Sequence, residues 1–242
     1  MTKLIRRLGT IATMTFAMLA SSASATPFWV DWTSVTTTSA TGTLGPSTIV
    51  LTAVSGLLPA QSALGGSGFW TCGACAATYA GSALSAATGG TGNADLIAIQ
   101  GQNTYTVTIT GPPISNPIYL AFMSLGQPGL TVVNTYTGIG SLVLQAGGAG
   151  AFGGGSIVVS PTTVTGTEGN GWVRGLASSG QTISSFSFVT SASEFYQGIQ
   201  IGAELAQIPE PGTLGLCLGA LGILVGLSRR RQGLLRRSAH AS

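Results

Sequence analysis

Thr104-Tyr105-Thr106-Val107-Thr108-Ile109-Thr110 alternates threonine with an apolar residue at every step. Successive side chains of a strand point to opposite faces, so this period of two puts Tyr105, Val107 and Ile109 on one side and the threonines on the other. β-Branched and aromatic residues suit a pleated, half-buried surface. The stretch predicts a strand with one face in a core and the other in water. Similar short strands are expected at 48–54, 118–125, 130–136, 141–146, 156–160, 171–177, 182–189 and 195–201. Turn residues separate them: Gly111-Pro112-Pro113, Asn116-Pro117, Gln127-Pro128-Gly129 and Gly169-Asn170-Gly171. No stretch from 26 to 208 sustains a helical period. Many short strands at even spacing predict an all-β domain, a jelly-roll or lectin-like β-sandwich. Trp29, Trp32, Trp70, Phe122, Trp172, Phe186 and Phe188 are available for its core.

The charges surround this region and largely avoid it. Only 6% of the 242 residues are charged, where about 25% is usual. The formal balance is +3. Lys3, Arg6 and Arg7 stand at the start, and Arg229, Arg230, Arg231, Arg236 and Arg237 stand at the end. Between 26 and 208 there is one base, Arg174, against Asp31, Asp95, Glu168, Glu194 and Glu204. The middle is therefore acidic. One arginine cannot make the basic face that replaces counterions on a phosphate backbone, so no nucleic-acid partner is expected.

The basic ends flank two apolar stretches. Residues 1–25 have the layout of an export signal: Lys3, Arg6 and Arg7, then a short apolar run, then Ala23-Ser24-Ala25 before Thr26. The run is shorter than the roughly 20 residues that span a bilayer. Signal peptidase and the export machinery are the expected partners, with Thr26 as the first mature residue. The other end carries Pro209-Glu210-Pro211, an uncharged stretch over 212–227, the cluster Arg229-Arg230-Arg231, and a basic tail over 232–242. As a helix the uncharged stretch would be about 24 Å long at about 1.5 Å per residue, short of a hydrocarbon core of about 30 Å. The arginines after it would hold the tail in the cytoplasm. Two prolines around a glutamate keep the preceding chain extended and open to a protease.

This order of motif, apolar helix and arginine cluster over 209–231 resembles the PEP-CTERM sorting signal. The resemblance implies recognition by exosortase, a membrane-embedded cysteine protease and transpeptidase-like enzyme of Gram-negative bacteria that typically make exopolysaccharide. It also implies a transient inner-membrane anchor, removed during processing. Thr165-Gly166-Thr167-Glu168-Gly169-Asn170-Gly171 through Glu194-Phe195-Tyr196-Gln197-Gly198 resembles ectodomains that precede this signal. That resemblance implies a β-sandwich and no defined activity.

Within 26–208 little points to chemistry. Cys72-Gly73-Ala74-Cys75 is a C-x-x-C after Phe69-Trp70-Thr71. A thioredoxin-like site would place the tryptophan directly before the first cysteine and a firm helix after it. The favoured reading is a structural disulfide formed after export. A structural zinc site needs four ligands, and no metal is expected. Gly148-Ala149-Gly150-Ala151-Phe152-Gly153 has the form G-x-G-x-x-G. A dinucleotide site would need a helix to follow, and a strand-like run follows instead. No cofactor is expected. The only histidine, His240, lies in the tail, which removes Ser-His-Asp and Cys-His catalysis from the domain. The expectation is an exported surface or matrix protein without catalytic residues, associated with exopolysaccharide or biofilm. The alternative is a secreted glycan hydrolase or lyase with a carboxylate pair drawn from the five acids, which would have to converge within about 5–10 Å.

Overall fold

The computed structural model describes residues 27–58, 70–84, 95–112, 114, 117–177, 181–194 and 196–204. The export signal with Ala23, Ala25 and Thr26, the sorting signal with Pro209, Glu210, Pro211 and Arg229 to Arg231, and the tail 232–242 lie outside the described residues.

Thr104–Thr110 forms the strand that its alternation predicts, with Tyr105, Val107 and Ile109 buried. The strands preceding it are β1 (Phe28–Trp29), β2 (Asp31–Val35), β3 (Ser39–Leu44), β4 (Ser47–Ala53), β5 (Leu57–Leu58) and β6 (Ile97–Ile99). Thr104–Thr110 itself is β7, followed by β8 (Ile118–Leu125), β9 (Val132–Thr137), β10 (Ser141–Gly148), β11 (Gly155–Ser156) and β12 (Val158–Ser160). The chain continues through β13 (Thr163–Gly166), β14 (Gly169–Leu176), β15 (Ser185–Thr190) and β16 (Gln197–Ala203). One helical turn, α1 (Cys75–Thr78), lies between β5 and β6.

Two sheets result. One is ordered β10-β14-β8-β16-β6-β5, with β1 also on β16 and β11 beside β14. The other is ordered β12-β13-β9-β15-β7-β4-β3-β2. Four antiparallel pairings explain these orders: β6 with β16, β7 with β15, β8 with β14, and β9 with β13. The second half of the domain thus folds back along the first as one long ribbon. Rolling the ribbon sets β16 beside β8 and β15 beside β9. This is the wrapping of a jelly roll, and the sandwich is all-β as expected. β2, β3 and β4 widen one sheet, and β10 widens the other.

The core between the sheets follows from the pleat. Tyr105, Tyr136 and Phe188 stack inside one sheet, with ring centroids 5.0 Å and 5.2 Å from Phe188. Leu120, Phe122, Ile199 and Ile201 meet them from the other. β8 is apolar along most of its length because both of its faces are covered. Leu120 and Phe122 enter the inter-sheet core, while Tyr119, Ala121 and Met123 enter a second cluster. That cluster is completed by Trp29 and Trp172 and by Trp70, Cys75, Tyr79 and Leu84 from residues 70–84. This segment is a flap on the outer face of the sheet.

Gly169-Asn170-Gly171, expected as a turn, is instead the start of β14. The reason is Asn170, which is fully buried. Its amide donates to the carbonyls of Glu168, Phe152, Gly153 and Gly155, and its oxygen accepts the N–H of Ser124. The side chain replaces the backbone partners that a turn would have provided. Ser124 has φ 56°, and it sits where β8 carries an extra residue against β14. The bond from its N–H holds that bulge.

Candidate functional site

Four connections of the jelly roll line an open, shallow cleft of about 690 Å³. Ser55 and Gly56 follow β4, Gln100 to Asn103 join β6 to β7, Gln127 lies between β8 and β9, and Ser193 and Glu194 lie between β15 and β16. The connections are bonded to one another. The N–H of Gln100 donates to the Gly56 carbonyl at 2.6 Å, and that of Gln102 donates to Ser193 Oγ at 3.3 Å. Asn103 Nδ2 donates to the Ser55 carbonyl at 2.6 Å, while the Asn103 carbonyl accepts the N–H of Thr190 at 3.0 Å. These bonds set the walls before any ligand arrives, which lowers the entropic cost of binding.

Glu194 is the acid of this cleft and is only 4% exposed. Its Oε2 accepts the N–H of Gly126 at 2.9 Å, and its Oε1 is buried without a hydrogen-bond partner. Burial raises the pKa of this carboxyl from its ordinary 4.5 to about 7, and the Gly126 N–H opposes the rise in part. Gly126 can present that N–H because it has φ 80°, and any Cβ there would run into the carbonyl oxygens of Gly166 and Leu130.

The other four acids do not line the cleft. Asp95 is buried, and its Oδ2 accepts the N–H of Trp32 at 2.7 Å. Glu204 accepts the Tyr119 hydroxyl at 2.6 Å. Asp31 opens β2, and Glu168 turns the chain from β13 to β14 with φ 55°. Among the described residues lining the cleft, Glu194 is the one acid. Arg174 is paired in register with Val143 on β10 and Tyr119 on β8. It therefore belongs to the outer face of its sheet with Tyr119.

Cys72 and Cys75 are joined in a disulfide, with Cα atoms 4.9 Å apart. Cys75 is fully buried, and the bond lies at the start of α1 in the flap. The flap is fixed by polar ends of aromatic rings. Tyr79 donates to the Phe122 carbonyl, Trp70 Nε1 to that of Asp95, and Trp29 Nε1 to that of Ser82. Trp70 and Tyr79 meet edge to face at 4.9 Å. The neighbourhood is a packed cover over the sheet. The glycine-rich run 148–153 leads into β11, a strand. It is cradled by Asn170, and a Cβ on Gly150 would overlap the Asn170 amide.

The cleft residues carry little local sequence signal. Gln100-Gly101-Gln102-Asn103 is an amide-rich run between two strands, and Glu194 precedes two aromatic residues. These are the hints that could have marked them, and only the roll brings them together.

Comparison with known proteins bears on the C-terminal end of the chain. Residues 207–232 match the PEP-CTERM protein-sorting motif. The chain therefore carries the sorting motif of PEP-CTERM domain-containing proteins, which implies exosortase processing, export and a transient membrane anchor. No curated protein and no solved structure matches the chain.

Proposed function

We propose that this chain is a non-catalytic surface or extracellular-matrix protein of a Gram-negative bacterium, and that its jelly roll adheres to exopolysaccharide in a biofilm. Residues 1–25 would be removed by signal peptidase, leaving Thr26 first. Residues 26–208 are the working domain. The motif Pro209-Glu210-Pro211, the apolar stretch 212–227 and Arg229 to Arg231 are the signal read by exosortase, and 232–242 is a cytoplasmic tail that is discarded with it.

The observation that carries this reading is the sorting motif over 207–232, a short distance beyond the last strand, which ends at Ala203. That the cleft is lined by a single acid among its described residues supports a binding role there over the hydrolase or lyase alternative. Glycoside hydrolysis uses two carboxyl groups across one bond, and the cleft is lined by one acid among its described residues. The flap supports a structural role for Cys72 and Cys75, since it buries the second sulfur under aromatic rings.

The test is to isolate the processed protein from its host and titrate it with the host's own exopolysaccharide. Saturable binding is expected. Absence of detectable binding at polysaccharide concentrations found in the matrix overturns the adhesive role.

A further inference from the structure

We infer that the cleft between the β6–β7, β8–β9 and β15–β16 connections is the binding site for an uncharged, hydroxyl-rich glycan segment. The inference rests on the adhesive reading above and assigns it a place and a ligand class.

Three observations lead there. The first is the chemistry of the walls. Gln100, Gln102, Asn103 and Gln127 bring primary amides, and Ser55 and Ser193 bring hydroxyls. An amide offers two donors and an acceptor side by side. A sugar ring presents the matching array, because each hydroxyl donates and accepts. Gln102 and Gln127 are exposed at the cleft, so their amides are reachable without moving the backbone.

The second is the floor. Glu194 is held by Gly126 through one oxygen, and its other oxygen has no partner. A buried polar atom without a partner is costly to keep. Because that oxygen is closed to solvent, a ligand hydroxyl would answer it only once the Glu194 side chain turns toward the cleft.

The third is charge. The cleft has no base among its described residues, and Arg174 lies on the outer face of its own sheet, in register with Val143 and Tyr119. A uronate or sulfate group would enter a cleft whose one ionisable group is a carboxyl, with no positive charge to meet it. Acidic polysaccharide is therefore disfavoured. Among its described residues the cleft is lined by amides and hydroxyls, so each exposed amide is worth a measurable fraction of the affinity.

The experiment splits the host exopolysaccharide by anion exchange into neutral and acidic fractions. Each is titrated against the processed protein, against Gln102→Ala combined with Gln127→Ala, and against Gln145→Ala on the edge strand β10 as a control. Both cleft side chains are exposed, so melting midpoints should match the parent and separate binding from folding. The expected result is preference for the neutral fraction and about a thirtyfold loss in the double variant, since two hydrogen bonds are removed. The control should bind as the parent does. Unchanged binding in the double variant overturns the site while leaving adhesion standing. Preference for the acidic fraction overturns the ligand class. Binding of neither fraction overturns the adhesive reading itself.

Discussion

Replacing Glu194 with Gln should stabilise the protein by an amount that grows as pH rises above about 4.5 and levels off above about 7. The carboxyl has an ordinary pKa of 4.5 and one of about 7 in the folded chain, because folding removes it from water. Each tenfold change in proton affinity is worth roughly 1.4 kcal/mol. Because the folded pKa is raised, the neutral carboxyl's contribution is fully present below about 4.5 and is lost as pH rises through about 7. Between those limits the parent should lose about 3 kcal/mol, a large share of a typical net stability of about 5–15 kcal/mol. Gln keeps the shape and leaves a carbonyl oxygen for the Gly126 N–H, which Oε2 now accepts at 2.9 Å. It cannot ionise. Urea unfolding followed by tryptophan fluorescence, repeated from pH 4 to pH 8, reads the difference with an unchanged slope. The variant should be about 2–3 kcal/mol more stable than the parent at pH 8 and equal to it at pH 4. A parent whose midpoint is flat across this range, or a variant weakened equally at every pH, would refute the burial of an uncompensated carboxyl at the cleft floor.

Other substitutions test the supports of the fold. Asn170→Ala removes the side chain that ties Glu168, Phe152, Gly153 and Gly155 to the bulge at Ser124. At roughly 1 kcal/mol per net bond lost, with two donors and one acceptor gone, urea unfolding should show a loss of about 3 kcal/mol. A loss under about 0.5 kcal/mol would mean that the glycine-rich run holds itself. Cys72→Ser with Cys75→Ser opens a loop of sequence separation 3, so a cost of about 2 kcal/mol is expected from loop entropy. Thermal melting of the double variant should show this drop, and glycan binding should be unaffected. Retained stability with lost binding would point to a functional role for the disulfide.

How far the residues announce these features depends on whether a feature is local. β7 could be read from its own letters, since threonine alternates with Tyr105, Val107 and Ile109 and one face is wet. β8 shows a run of apolar residues, and such a run does not say what covers each face. Its outer cover is the flap, where Trp70 and Tyr79 become core residues only because Tyr119 and Met123 lie beneath them. β3, with the sequence SATGTL, has too few large apolar residues to stand out, and it is a strand because β4 pairs along its whole length. Gly169-Asn170-Gly171 has turn composition, yet it extends β14 because Asn170 bonds to residues far along the chain. The cleft is least legible. Gln100, Gln127 and Glu194 come from three connections, and each alone looks like an ordinary loop residue. Their meeting is a property of the roll.

We propose that two removable ends route this protein to the surface and that the jelly roll is the part that works. Intact-mass measurement of the mature protein taken from its host tests this most directly. The mature chain should begin at Thr26 and lack everything beyond the Pro209-Glu210-Pro211 region. A mature chain that still ends at Ser242 would contradict it.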